Sequence, residues 1–180
     1  VSLDVTSLFT SIPVDLALEI VKFELENTDV WSEYTKLTAK QIYDLVKFVL
    51  KNSFFVFEGK YYHQISGCAM GSPVSAVIAE LVMQRAEKIA LETSPVPIRW
   101  WKRYVDDSKA CLKQVDIQAF HNHMNTINQN IQFTIEIPAV RSGEQSIALL
   151  DTEVFTDSAG FVKVKVFRKN THTDKYLSFD

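Results

Sequence analysis

The chain has 180 residues, of which 47% are hydrophobic and 23% are charged, a balance typical of one globular domain rather than of a disordered segment. Because no apolar run approaches the ~20 residues of a membrane-spanning helix, we expect no membrane partner. The formal net charge of −3 argues against a nucleic-acid partner, since phosphate groups attract lysine and arginine. That argument weakens if the functional site is itself acidic and the basic surfaces lie elsewhere in a longer polypeptide.

The first half of the chain predicts one strand, two helices and a hairpin. Apolar residues recur on one face of the first helix, whose first turn suits Pro13, and Thr38 is placed to cap the second helix. Aromatic residues on both sides of Glu58, Gly59 and Lys60 indicate a hairpin that turns there. The predicted elements are a strand at residues 1–5, helices at 13–26 and 39–51, and hairpin strands at 54–57 and 61–65.

The second half predicts a long helix that begins near Pro73 and ends before Pro95. A hairpin should follow, with Asp106 and Asp107 at its tip. Strands and helices mix without a regular alternation, which favours the α+β class with a largely antiparallel sheet. The remaining predictions are hairpin strands at 98–105 and 108–112, a helix at 116–130, and strands at 133–137, 147–155 and 161–167, the last two joined across residues 157–160.

Carboxylates at the ends of two apolar strands are the first candidates for chemistry. Asp106 and Asp107 are adjacent at a predicted hairpin tip, where they repel each other unless a cation is bound nearby. The alternative is that Asp is simply a favourable turn residue. Asp4 lies at the end of the first predicted strand, and its alternative role is to cap the turn after that strand.

A glycine-containing segment at residues 67–75 is the second candidate. Gly71 precedes Ser72 and Pro73 at the start of the predicted long helix, an arrangement that allows a ligand to approach the backbone closely. An ordinary helix N-cap explains Ser72 and Pro73 equally well.

The order of these segments resembles that of reverse transcriptases, and specifically of the Penelope-like retroelement group. Residues 4–13 are similar to the first palm motif of that family, residues 67–75 to the second, and residues 104–107, Tyr-Val-Asp-Asp, to its catalytic hairpin. Residues 166–177 resemble the segment that closes the palm. The resemblance covers essentially the whole chain, and it implies one palm domain over residues 1–180, a largely antiparallel sheet with helices packed on one face.

The resemblance implies a two-metal RNA-directed DNA polymerase. Asp4, Asp106 and Asp107 would be catalytic and would all belong to the metal site, with Asp4 and Asp106 as ligands of two Mg²⁺ ions, Asp107 beside them and the Val5 carbonyl as a further oxygen ligand. Mn²⁺ would be a substitute metal. The reaction is the transfer of a nucleotide from a dNTP to the 3′-hydroxyl of a primer, by in-line attack on the α-phosphate.

The resemblance also implies residues that contact the nucleotide. Phe9, five residues after Asp4, would be a steric gate that excludes a ribose 2′-hydroxyl, although a core phenylalanine is the alternative. Gly71, Ser72 and Pro73 would lie under the incoming nucleotide and the template. Met70 stands where several branches of the family carry Gln, so the contacts of that Gln cannot be carried over.

A basic segment near the end of the sequence would hold the primer backbone, with Arg168, Lys169 and Lys175 as the candidate residues. The alternative is a solvated basic face. The implied partners are an RNA template, a DNA primer and a dNTP, together with a fingers region and a thumb on the same polypeptide. We therefore expect this chain to be a fragment that polymerises poorly alone, and the retroelement resemblance implies a nuclear location.

Two other functions are kept open. A domesticated, catalytically silent copy would bind nucleic acid or protein, but the three aspartates and the uninterrupted motif order favour an active enzyme. A different palm enzyme, such as an RNA-templated RNA polymerase, is disfavoured by Phe9 and by the Tyr-Val-Asp-Asp tip, because those enzymes usually carry a small or acidic residue near the gate and Gly-Asp-Asp at the tip.

Overall fold

A four-stranded antiparallel sheet joins the segments that carry the predicted aspartates. In a computed structural model, which describes residues 1–141, 144–157, 159 and 161–168, its strand order is β4–β5–β1–β6. A second four-stranded sheet has the order β10–β9–β8–β7, and β2 and β3 form a separate hairpin. The strands are β1 Ser2–Val5, β2 Phe54–Phe57, β3 Lys60–His63, β4 Trp100–Tyr104, β5 Asp107–Cys111, β6 Phe133–Glu136, β7 Ala139–Arg141, β8 Glu144–Leu149, β9 Thr152–Thr156 and β10 Val162–Val166.

The helices follow the predicted signals closely. Thr38 caps its helix through a capping box with Gln41, in which the Gln41 N–H donates to the Thr38 hydroxyl and the Thr38 N–H donates to the Gln41 side chain. Pro13 is the N-cap of its helix rather than part of the first turn. The helices are α1 Leu8–Ser11, α2 Val14–Asn27, α3 Ala39–Lys51, α4 Pro73–Glu92 and α5 Ile117–Ile127.

The first sheet has one buried face and one polar face. Leu3 of β1 pairs with Ser108 of β5, Val5 of β1 pairs with Phe133 of β6, and all four residues are buried. On this face Trp101 of β4 makes an edge-to-face contact with Phe120 of α5. The next residue of each strand points the other way, so the opposite face carries polar residues, among them Asp4.

The helix predicted at residues 116–130 ends earlier, at Ile127, and three predictions at hairpin turns are wrong. Lys60 belongs to β3, so that the first hairpin turns at two residues rather than three. Asp107 is the first residue of β5. The single strand predicted at residues 147–155 is two antiparallel strands, β8 and β9, which are joined at Leu150 and Asp151. Leu150 has a positive φ of 53°, a conformation that is uncommon for residues other than glycine. An apolar residue at this position therefore does not predict a turn.

The α+β prediction is confirmed at the level of class. Every strand pairing in the described residues is antiparallel, and helices and strands mix along the chain. Among the helices described by the structure, none combines the length and the apolar character that crossing a membrane would require.

Candidate functional site

The β4–β5 hairpin turns at Val105 and Asp106. Tyr104 pairs with Asp107, so Asp106 lies in the turn and Asp107 begins the returning strand. Val105 has a φ of 57°, a left-handed conformation that is unfavourable for a β-branched residue. The two predicted tip carboxylates therefore differ in position, one in a strained turn and one on the sheet.

Asp4 lies on β1, the strand next to β5. It is the direct register partner of Asp107, and opposite residues of an antiparallel pair project from the same face of the sheet. The Val5 N–H donates to the carbonyl oxygen of Asp106 over 3.4 Å, which ties the hairpin turn to the end of β1. The structure thus brings the three predicted aspartates together, from segments about a hundred residues apart in sequence.

The electrostatics of Asp4 reflect this gathering of negative charge. Partial desolvation raises the pKa of its carboxyl group, and the charges of Asp106 and Asp107 raise it further. A hydrogen bond from the Val5 backbone and the charge of Lys109 act in the opposite direction. The balance indicates an anionic cluster that its surroundings only partly neutralise.

Lys109 is a site residue that the sequence reasoning missed. Its ammonium group lies 2.8 Å from Oδ1 of Asp107 and also donates to the hydroxyl of Ser2. That hydroxyl in turn donates to the same Asp107 oxygen over 3.3 Å. Lysine in a strand usually indicates a solvated face, and only strand parity, which places Lys109 on the face of Asp107, could have drawn attention to it.

A buried arginine anchors the β4–β5 hairpin to α4. The side chain of Arg103 is 8% exposed and contacts Glu80 and Glu87 of α4, with N···O distances of 2.7 Å to each. It also donates to the carbonyl oxygen of Val105 over 2.9 Å. Because this arginine binds the helix and the strained turn together, it fixes the position of Asp106. The hydrogen bond to Arg103 lowers the pKa of Glu80 to about 2.

The glycine-containing segment contacts the first motif directly. The Cys68 N–H donates to the carbonyl oxygen of Phe9 over 2.7 Å. Gly67 has a φ of +78°, and a Cβ atom there would lie 2.7 Å from Cα of Thr10, so only glycine fits this approach. Burial raises the pKa of the Cys68 thiol to about 11, which makes it an unreactive packing residue.

The remaining predicted nucleotide-binding residues lie around the start of α4. Pro73 is the first residue of that helix and Ser72 is its N-cap, without a capping hydrogen bond from the Ser72 side chain. Gly71 has a φ of +91°, and a Cβ atom there would meet no other atom within 4 Å. Phe9, in α1, is half-buried against the hydrophobic core. The Phe9 ring therefore serves the core at least in part.

The predicted primer-binding residues are described only in part. Arg168 is exposed and lies just beyond β10 in the second sheet. The preceding residue, Phe167, is tied to the β8–β9 turn, since its N–H donates to the carbonyl oxygen of Asp151 over 2.8 Å. Lys169 and Lys175 lie outside the described residues, so the predicted basic group of three stays a prediction.

The acidic cluster has the donor chemistry that Mg²⁺ prefers, but two of its carboxylates fit the role better than the third. In the part of the chain that the structure describes, no three His, Cys, Asp or Glu side chains are arranged as a ready-made metal site. Mg²⁺ commonly uses only one or two carboxylates, together with water and substrate phosphates. Asp4 and Asp106 could supply those carboxylates, whereas Asp107 is already paired with Lys109.

Comparisons with protein-family profiles, with curated proteins and with solved structures found no match for this chain.

Proposed function

We propose that this chain is the palm of a reverse transcriptase, an RNA-directed DNA polymerase. The observation that carries the proposal is the position of Asp4, which pairs with Asp107 across an antiparallel sheet and precedes Val5, the residue that donates to the carbonyl oxygen of the turn residue Asp106. The other face of this sheet packs on α5. Contact between the Gly67 segment and Thr10 adds support. Three sequence motifs that are far apart in the chain therefore adjoin one another, as a shared nucleotide site requires.

Asp4 and Asp106 would hold the two Mg²⁺ ions, and the Val5 carbonyl would be a further oxygen ligand. When bound, the ions would supply activation of an attacking hydroxyl group and stabilisation of the charge on a departing pyrophosphate. The contribution of the chain itself is positioning. The hydrogen bond from Val5 to Asp106 and the contact from Arg103 to the Val105 carbonyl fix the turn relative to β1.

Phe9 would select the sugar of the incoming nucleotide. Its carbonyl oxygen accepts a hydrogen bond from Cys68, so the backbone that carries the ring is fixed against the glycine-containing segment. A ring held there would crowd a ribose 2′-hydroxyl. We expect Phe9→Ala to raise the incorporation of rNTP relative to dNTP by about tenfold or more. Phe23→Ala is the matched control, since Phe23 is exposed on α2, and unchanged sugar discrimination in Phe9→Ala would remove this role.

The test of the proposal is Mg²⁺-dependent dNTP incorporation on a primed RNA template. It should use the full-length polypeptide that carries this chain, because the proposed palm would act with fingers and a thumb. We expect Asp106→Asn to lower the rate by three decades or more, equivalent to about 4 kcal/mol of barrier. Asp44→Asn, which alters only an exposed ion pair with Lys40 on α3, should retain the wild-type rate.

A folded wild-type protein without incorporation would reject the polymerase. The alternative would then be a catalytically silent module that binds nucleic acid or protein. A protein that extends primers with rNTP as readily as with dNTP would instead point to an RNA polymerase. In the active case, a retroelement enzyme would work in the nucleus on an RNA template and a DNA primer.

A further inference from the structure

The third carboxylate of the cluster is held by an internal cation. Lys109 is 6% exposed, and its ammonium group lies 2.8 Å from Oδ1 of Asp107. The Ser2 hydroxyl contacts both groups, accepting from Lys109 and donating to Asp107. These three side chains occupy register positions on the polar face of the sheet, with Ser2 directly opposite Lys109. The contacts form a closed group beside Asp4.

The position of Lys109 differs from that of a surface lysine. Its register partner on β4, Lys102, is exposed, whereas Lys109 lines a cleft of about 410 Å³ together with Ile147 and Val154 of the second sheet. A buried ammonium group is costly unless it is paired and hydrogen-bonded. Asp107 supplies that pairing, so the orientation of the Asp107 carboxylate is tied to the burial of Lys109.

We propose that Lys109 is a positioning residue that keeps Asp107 out of metal coordination, leaving Asp4 and Asp106 as the metal-binding carboxylates. This inference rests on the proposed polymerase function. Asp107 Oδ1 is engaged by the ammonium group and by the Ser2 hydroxyl. The charge of Lys109 also cancels one of the three carboxylate charges, which limits the repulsion that Asp4 and Asp106 experience before a metal binds.

The alternative is that Asp107 is a third metal ligand, and a double substitution separates the two roles. In the double variant Lys109→Met/Asp107→Asn, both charges of the pair are removed together and the net charge of the cluster is unchanged. If Asp107 is only the counterion of Lys109, this variant should bind metal as the wild type does. If Asp107 is a ligand, the variant should bind as poorly as Asp106→Asn.

The experiment is a titration of the 180-residue chain with Mn²⁺ alone, followed by the electron paramagnetic resonance signal of the free ion. We expect Asp4→Asn and Asp106→Asn each to weaken binding by about 100-fold. The double variant should stay within about threefold of the wild type. Lys109→Met alone leaves Asp107 free to join the site and should bind Mn²⁺ about tenfold more tightly, because ligand charge sets affinity at oxygen sites.

Folding is followed by circular dichroism for every variant, and Lys109→Arg keeps the cation as a conservative control that should bind Mn²⁺ like the wild type. If Lys109→Met fails to fold, the double variant and Lys109→Arg still decide the question. A double variant that loses Mn²⁺ as Asp106→Asn does would overturn the inference while leaving the proposed function intact. Binding that survives in both Asp4→Asn and Asp106→Asn would reject the proposed metal site itself.

Discussion

Two hairpins of this molecule both have two-residue turns, but the residues that form the turns differ in kind. The β2–β3 hairpin turns at Glu58 and Gly59, and the β4–β5 hairpin turns at Val105 and Asp106. In the first, both turn residues have positive φ angles, 49° and 73°, which is the pattern of a type I′ turn with glycine where it is favoured. In the second, valine occupies the positive-φ position, where local chemistry favours glycine.

The surroundings of the two hairpins explain the difference. The β2–β3 strands are exposed along their whole length, and their side chains contact mainly each other, as in the stacked rings of Phe55 and Tyr62 at 5.5 Å. The β4–β5 hairpin is anchored by Arg103 to α4 and by Asp106 to β1. Local sequence therefore determines the first hairpin, whereas tertiary contacts impose the second, which carries the proposed metal ligand.

The largest expected effect comes from removing the tertiary anchor. Arg103→Met leaves Glu87, which is largely buried, without its cation, and we expect a loss of about 3–5 kcal/mol in the free energy of unfolding. Lys60→Met, in the exposed hairpin, should change that free energy by less than about 0.5 kcal/mol. Chemical denaturation measures the free energy of unfolding of both variants. Similar losses in the two would contradict the view that only the β4–β5 hairpin depends on tertiary contacts.

Substitutions at two glycines distinguish a turn that needs glycine only for its backbone conformation from one that also needs it for close packing. Gly59→Ala meets no atom within 4 Å, so it should cost only the backbone penalty of about 1–2 kcal/mol. Gly67→Ala adds an overlap with the Thr10 backbone and should cost about 2–4 kcal/mol. Thermal unfolding of the two variants gives the comparison. An equal loss would mean that the Gly67 segment is free to move away from Thr10.

Relieving the backbone strain in the β4–β5 turn should increase the stability of the protein. We expect Val105→Gly to raise the free energy of unfolding by up to about 1 kcal/mol, because glycine adopts the left-handed conformation without steric cost. Val164→Gly, in the middle of the exposed strand β10, should instead lower it by a similar amount. If both substitutions destabilise the protein equally, Val105 is not strained.

The smallest expected effect is a dependence of stability on pH. Glu80 has a pKa of about 2 in the folded protein, below the value of about 4.3 in an unfolded chain. Its ionised form therefore stabilises the fold above about pH 4.3, and this contribution is lost as the pH falls towards 2. Because Glu80 is half exposed, we expect Glu80→Gln to cost only about 0.5 kcal/mol at pH 7. The cost should vanish near pH 2, and a cost that is constant across this range would exclude the ionic contribution.

Local signals made much of the fold predictable. The Thr38 cap and the boundaries of α3 follow from the residues that form them, and α4 begins at Pro73 as predicted. Most of the errors lie at hairpin turns. Leu150 turns with a positive φ between two strands that read as one, and Asp107 belongs to a strand although Asp favours turns.

The carboxylates of the candidate site could be predicted from the sequence, but the basic residues that position them could not. Asp4 and the Asp106-Asp107 pair stand out because acidic residues end apolar strands. Lys109 does not stand out, since its pairing with Asp107 depends on how the second sheet covers it. The ion pairs of Arg103 join β4 to residues 16 and 23 positions earlier in the chain, and no spacing rule predicts that register. Such partners become visible only when the register between elements is known.

The most direct test of the central claim asks whether Asp4 and Asp106 act as one metal site. Single-turnover dNTP incorporation on a primed RNA template should be measured for Asp4→Asn, Asp106→Asn and the double variant of the full-length polypeptide. We expect each single variant to lose about three decades in rate and the double variant to lose no more than about tenfold beyond that, because residues that act as a unit are not additive. Incorporation that persists in either single variant, or losses that multiply in the double variant, would contradict a shared site.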